Sequence, residues 1–453
     1  MPIIVGNTTT NSAITSTSLS EMAPQSFVVT NALRNSVRPA LLLPFAQSGT
    51  VDPRITFTRA SSATYFNSQG VLTTAPNNVP RIDFDPATGR CLGLLIEGGR
   101  TNSIRNNTMV GAVAGTPGTL PTNWASINGS TDSGVTLSVI GVGQENGISY
   151  IDVGISGTAT ATSSQLNIAL ETNSGIAASS GQVWSFSGFS KIVTGSLNNI
   201  GIYFQFGELN SSGGYLQGGL LQLQPTTSSL AIQRSSASYT IANASTAFIR
   251  PLIYFAITNG QTYNFTLRIG LPQLELGAFA TSVIATTTAA ATRTIENARI
   301  PLGSWYNASA FSLLVEAQKN TTADTGFATS VELNDGTGNR RISFYNSPST
   351  ANLRIDVSTI VDIPAGTYTS GVPYKIAAAV TGTSTTTGTI VSFFNGAAAG
   401  SGITTNLNSA SYTNMNIGYI GGIGAGNQMN GWIQRIAYYP VAFSNTQLQA
   451  MSS

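Results

Sequence analysis

Apolar residues recur at every second position in short bursts along most of this chain. "RITFTRA" (54–60) and "RIDFD" (81–85) alternate in this way, which puts one face of a strand on a core and the other in water. "CLGLLIE" (91–97) is apolar almost throughout and reads as a strand buried on both faces. Longer runs follow at "GISYIDVGISGTA", "QVWSFSGFSKIV", "IGIYFQFGEL", "FIRPLIYFAI" and "YNFTLRIGLPQLELGAF" (147–279). A third series spans "FSLLVEAQ" to "GWIQRIAYYP" (311–440). Turn chemistry separates them, as in "NSQG" (67–70) and "DPATGR" (85–90). Helical periodicity is nearly absent, except in the tail "FSNTQLQAMSS", where Ser444 or Asn445 would cap one short helix. No heptad run offers a coiled coil.

The pattern predicts an all-β protein: an N-terminal arm and a small β module, then two antiparallel β-sandwiches of jelly-roll type. Residues 1–40 are polar, with the one apolar run "SFVVTNAL", and read as an attachment arm or a loose terminus. The small module covers 41–105, the first sandwich 106–298 and the second 299–453. Residues 280–298, short of large apolar side chains, read as the linker between the sandwiches.

Composition narrows the function. Only 8% of residues are charged while 41% are hydrophobic, so the chain folds but carries a surface of hydroxyls and amides. Net charge is +2, and the twenty cations, mostly arginine, are scattered; no field for nucleic acid follows. The absence of histidine removes Ser-His-Asp and Cys-His chemistry and histidine-bearing zinc sites. The lone Cys91 reads as a small buried hydrophobe. No run reaches membrane-spanning length, and "MPIIVGNTTTNS" lacks the basic and apolar regions of a secretion signal. No cofactor, metal or membrane insertion is expected.

Charge concentrates in one place. Arg54, Arg59, Arg81, Asp83, Asp85, Glu97 and Arg100, with Asp52 and Arg90, crowd residues 52–100. Acids nearly cancel the arginines, so partly buried Arg–carboxylate forks are expected, within one chain or between protomers. Elsewhere, Glu316, Glu332, Asp335, Asp356 and Asp362 show no alternating pair on one strand, as a glucanase would need. "ELNDGTGNRR" reads as a hairpin turn rather than a calcium loop. Sugars stack on exposed aromatic rings. Trp124, Trp305, Tyr306 and Tyr412, in or near loop-like sequence, are the glycan-binding candidates, against the plainer reading of hydrophobic plugs. Trp184 and Trp432 lie in strands and are expected in the core.

Two long phrases carry a resemblance. "DPRITFTRASSATYFNSQGVLTTAPNNVPRIDFDPATGRCLGLLIEGGRTN" (52–102) resembles a module of tailed-bacteriophage head-spike or fibre proteins. "LRIGLPQLELGAFATSVIATTTAAATR" (267–293) resembles the end of the carbohydrate-binding-module-like sandwich that commonly follows it. The last domain, through "FSLLVEAQ", "YKIAAAV", "VSFFNGAAAG" and "MNGWIQRIAYYPVAFSNTQLQAM", is similar to concanavalin A-like (laminin G-type) jelly rolls. These likenesses imply a virion protein on the head or tail, often a homotrimer, attached to other virion proteins through its N-terminal region. It would display its sandwiches to host-surface or environmental glycans; some members of the jelly-roll family are glucanases, but the sequence offers no catalytic constellation and no enzyme is expected. A polysaccharide depolymerase and a structural capsid or tail part without ligand are the alternatives.

Overall fold

Alternating sequence does become antiparallel sheet, but the sheets ignore the order of the segments. The computed structural model describes residues 37–128, 134–160, 166–172, 175–323, 326–337, 340–348, 350, 352–357, 361–382, 388–404, 407, 409–421 and 427–453. The arm 1–36, with "SFVVTNAL", lies outside the described residues. Within them the chain is all-β, built from two antiparallel sandwiches.

The middle sandwich packs a five-stranded sheet on a six-stranded one. The first runs Arg234–Thr240, Val183–Thr194, Thr262–Leu276, Ile148–Thr158, Val135–Glu145. The second runs Tyr215–Gln222, Gly201–Leu209, Phe248–Ala256, Leu166–Ala169, Ala125–Asn128, with Ile176–Ala177 beside Phe248–Ala256. Between them lies one core of aromatic and β-branched side chains, including Trp184, Phe186, Phe204, Phe206, Ile253 and Phe255. Phe186 and Phe204 stack across it at 4.3 Å between centroids.

The second sandwich is assembled from both ends of the chain. Its eight-stranded sheet runs Ala397–Thr404, Gly388–Phe394, Pro373–Thr381, Ala310–Lys319, Gly431–Tyr439, Cys91–Ile96, Arg81–Phe84, and Leu41–Leu43 pairs further along Gly431–Tyr439. In the opposing seven-stranded sheet, Thr56–Thr58 pairs with Asn297–Pro301. Leu41, Leu43, Phe45, Phe57, Leu94 and Ile96 share one core with Leu313, Val315, Phe344 and Ile433. Strand pairing therefore crosses the boundaries drawn at 105 and 298: Leu41–Leu43, Thr56–Thr58, Arg81–Phe84 and Cys91–Ile96 are part of this sandwich, and the middle sandwich is inserted into it. Gly93 marks how tightly the seam is drawn. Its φ is +111°, and a Cβ there would sit 2.3 Å from the Ile433 carbonyl oxygen, so only glycine fits.

Two features cap the outer face of the eight-stranded sheet. The terminal helix Asn445–Ser452 starts at Ser444, whose hydroxyl and Gln447 form a reciprocal capping box. Its Leu448 and Met451 pack on Leu314, Ala377 and Tyr439. Near the other edge, the hairpin Ala63–Phe66 and Leu72–Ala75 lies beside Arg81–Phe84. Phe66 and Leu72 of that hairpin pack against Ile148, Phe189 and Leu271 of the inserted sandwich.

Candidate functional site

Three members of the charged island, Arg59, Arg81 and Glu97, form a buried clasp with Arg293 and Glu296 at the root of the insertion. Arg59 Nη1 donates to Glu296 Oε1 at 2.8 Å, and Arg81 reaches the same carboxylate through Nε at 2.9 Å and Nη2 at 2.5 Å. Arg81 also donates to Glu97 at 2.8 Å, and Arg293 lies 3.1 Å from Glu97. All five side chains are essentially without solvent contact. Burial alone would raise the Glu97 pKa, but Arg293 and Arg81, with hydrogen bonds from Ser282, hold it down to about 2. Residues 280–298 are thus no loose linker: Thr281, Val283, Arg293 and Glu296 are buried, and Ala291–Arg293 pairs with Arg100–Asn102.

Other members of the island serve locally. Arg54 and Asp52 form an exposed pair two residues apart. Asp85 accepts from Ala87 N in its own turn. The Arg100 guanidinium lies over the Phe279 ring at 4.8 Å. The Asp83 carboxyl is taken by Phe66 N at 2.7 Å and Trp432 Nε1 at 2.9 Å, not by an arginine. Burial pushes its pKa up to about 6.

Two of the four aromatic candidates need correction, because burial has claimed their faces. Trp124 is 5% exposed, in the middle core, with Nε1 donating to Asn106 O. Tyr412 is equally buried and donates to Leu407 O. Trp305 and Tyr306 are half-buried, but Trp305 sits edge-on to Tyr438 at 5.0 Å and Tyr306 donates to Ser409 O. Both pack against the core of the second sandwich. In the acid-poor second sandwich, Glu332 is fully buried and accepts from Asn334, Ser343, Asn416 and Gly421 N. Thr329–Asn334 and Arg341–Asn346, on either side of "DGTGNR", pair antiparallel; Gly338 and Asn339 of that phrase lie outside the described residues.

An aromatic platform exists elsewhere, on the outer face of the six-stranded sheet. Strand pairing sets Asn167, Tyr254, Tyr203 and Gln222 in one row across four strands. Leu252, Gln205 and Leu220 form the next row. The Tyr203 and Tyr254 rings lie 5.6 Å apart at 26°, both half-buried. Asn167 is 7% exposed and its Oδ1 has no hydrogen-bond partner; neither has the buried Nε of Arg250, on the strand of Tyr254. Rings beside an unmet acceptor, with the unmet Arg250 donor two rows along the same strand, suit a ligand with an apolar face and hydroxyl edges. Alternation carried the signal. In "IGIYFQFGEL", Ile202, Phe204 and Phe206 face the core, so Tyr203 and Gln205 must face out.

No protein-family model matches the chain, and no curated protein sequence matches it. Solved structures similar to part of it include the CBM40 of the Ruminococcus gnavus IT-sialidase bound to α2,3-sialyllactose, at 13% identity over 32% of this chain and 84% of that one, TM-score 0.28. Another is domain 4 of AbnA, a GH43 extracellular arabinanase from Geobacillus stearothermophilus, in complex with arabinotriose: 16% identity, 39% and 81% coverage, TM-score 0.29. A third is the CBM22-1 xylan-binding domain of Xyn10C from Paenibacillus barcinonensis, at 16% identity over 41% and 99%, TM-score 0.24. Likenesses this distant decide neither the ligand nor the site of this chain.

Proposed function

We propose that this chain is a non-catalytic glycan-binding protein displayed on a bacteriophage particle, and that its inserted sandwich holds saccharides on the rows Asn167–Tyr254–Tyr203–Gln222 and Leu252–Gln205–Leu220. The observation that carries the binding reading is the tyrosine pair beside the unpartnered Asn167 Oδ1. A pyranose presents C–H bonds to a ring and hydroxyls to amides, and this face offers both. The two rows contain no carboxylate, which speaks for holding a sugar rather than cleaving it. Display on a virion, as a trimer attached through the N-terminal region, rests on the phrase resemblance of residues 52–102.

A glycan array with the purified protein tests the binding reading. Retention of at least one glycan, weakened tenfold or more in Tyr254→Ala, is the expected result; no retention sinks it. Shortening of a retained polysaccharide by the protein would overturn the non-catalytic reading. Labelling intact phage particles with an antibody against this chain, together with a trimeric solution mass, tests the display.

A further inference from the structure

A separate cleft of about 450 Å³ opens where the hairpin Ala63–Phe66/Leu72–Ala75, the segment 280–283 and the outer face of the eight-stranded sheet meet. Neighbouring strands build its floor. Leu95, Trp432 and Gln318 are successive register partners across that sheet, and Leu94, Ile433 and Ala317 point the other way, into the core. Trp432 is therefore not the core residue its strand suggested. Its ring is half-buried at the cleft, and its Nε1 is committed to Asp83. The two side chains fix each other before any ligand arrives.

Two residues that line this cleft, Gln318 and Arg234, each carry a buried polar atom without a partner. Gln318 is 7% exposed, and its Oε1 accepts no hydrogen bond. Arg234 donates from Nη2 to Ser187 Oγ at 2.9 Å, while its buried Nε has no partner. Leaving such groups buried and unmet is unfavourable, because they have given up water without gaining a partner. A ligand carrying both donors and acceptors suits such a pair of residues. A small anion would satisfy Arg234 but set an acceptor against Gln318 Oε1. A cation would do the reverse.

We propose that the cleft is a second saccharide site, taking one or two sugar rings. The apolar face of a ring lies on Trp432, a hydroxyl donates to Gln318 Oε1, and a sugar oxygen accepts from Arg234 Nε. The volume lies toward the smaller end of ligand pockets, roughly 300–1,000 Å³. The inference rests on the reading that this chain binds saccharides, but it uses none of the tyrosine rows, so either site can fail alone.

Saturation-transfer NMR on the full chain decides it, with D-glucose, D-galactose, D-mannose, L-rhamnose and N-acetylglucosamine as probes. In a Tyr203→Ala/Tyr254→Ala background, at least one sugar still binds, and Gln318→Met weakens it tenfold or more. Gln318→Met keeps the side-chain volume and removes the acceptor. Arg234→Lys, which keeps the charge and removes Nε, weakens the same sugar and decides the matter if Gln318→Met fails to fold. Absence of any probe from the double-tyrosine background, or equal binding by these variants, overturns the cleft site. If wild type still binds a probe in that case, saccharide binding itself stands.

Discussion

Arg81 grips Glu296 with two parallel hydrogen bonds, Nε to Oε1 at 2.9 Å and Nη2 to Oε2 at 2.5 Å, across 215 residues of sequence. The same carboxylate also accepts from Arg59 Nη1 and Glu97 N. One acid thus joins the strand before the inserted sandwich to the strand after it. A buried charge stripped of its partner is strongly destabilising, by about 3–5 kcal/mol. Arg81→Met should lower unfolding stability by that amount in urea titrations. Arg81→Lys should recover little, because an ammonium cannot reproduce the fork. Arg54→Ala, which removes only an exposed pair with Asp52, should cost at most about 1 kcal/mol.

The clasp also sets acid tolerance. Glu97 sits at about 2 instead of its ordinary 4.5. A depressed carboxyl contributes stability that is complete above the unfolded value and is lost as pH falls through the folded one. Thermal melts should therefore weaken from about pH 4.5 down to about pH 2. In Glu97→Gln the melting temperature should be lower throughout and this acid slope shallower. An unchanged slope would remove Glu97 from the account.

Glu332 works in the opposite direction. Burial raises its pKa to about 7, against the donors from Gly421, Asn416 and Ser343 and the nearby Arg341. The native state then holds a proton that the unfolded chain releases above its ordinary 4.5. Stability from this group is full below about pH 4.5 and lost as pH rises to about 7. Glu332→Gln fits the same cradle, with its amide donating to the Ser343 hydroxyl that now donates to Oε2. The variant should melt higher than wild type at pH 8 and lose the decline between pH 4.5 and 7.

Local pattern made the strands legible, because each alternating run needs only its own residues to choose a face. "RIDFD", "CLGLLIE" and the helix behind Ser444 are where period and capping place them. Partners across long separations leave no such trace. Nothing near Arg81 announces Glu296, and "TRTIENA" looks like linker because its two buried charges are polar by composition. Trp124 and Tyr412 failed as glycan candidates for a related reason. Loop-like sequence around Trp124 suggests exposure, yet a large ring with a satisfied N–H is a good plug. Tyr203 and Tyr254 fell on the polar phase of strands whose other phase is core, and only register across three strands shows them beside Asn167.

The shared second sandwich makes a sharp prediction about fragments. Residues 299–453 alone lack Leu41–Leu43, Arg81–Phe84 and Cys91–Ile96 from one sheet and Thr56–Thr58 from the other. Without them the Gly431–Tyr439 edge is bare, and Leu313, Val315 and Ile433 lose Leu94, Ile96 and Phe45 from their core. Exposed edges and open cores aggregate. The fragment 299–453 should give no cooperative thermal transition and should bind dyes for exposed apolar surface. Fragment 37–298 added in equimolar amount should restore the transition, since it supplies the missing strands, Arg59, Arg81, Glu97, Arg293 and Glu296 together. The same addition with Arg81→Met should restore it only in part. A cooperative melt of 299–453 by itself would show that the N-terminal strands decorate this sandwich rather than complete it.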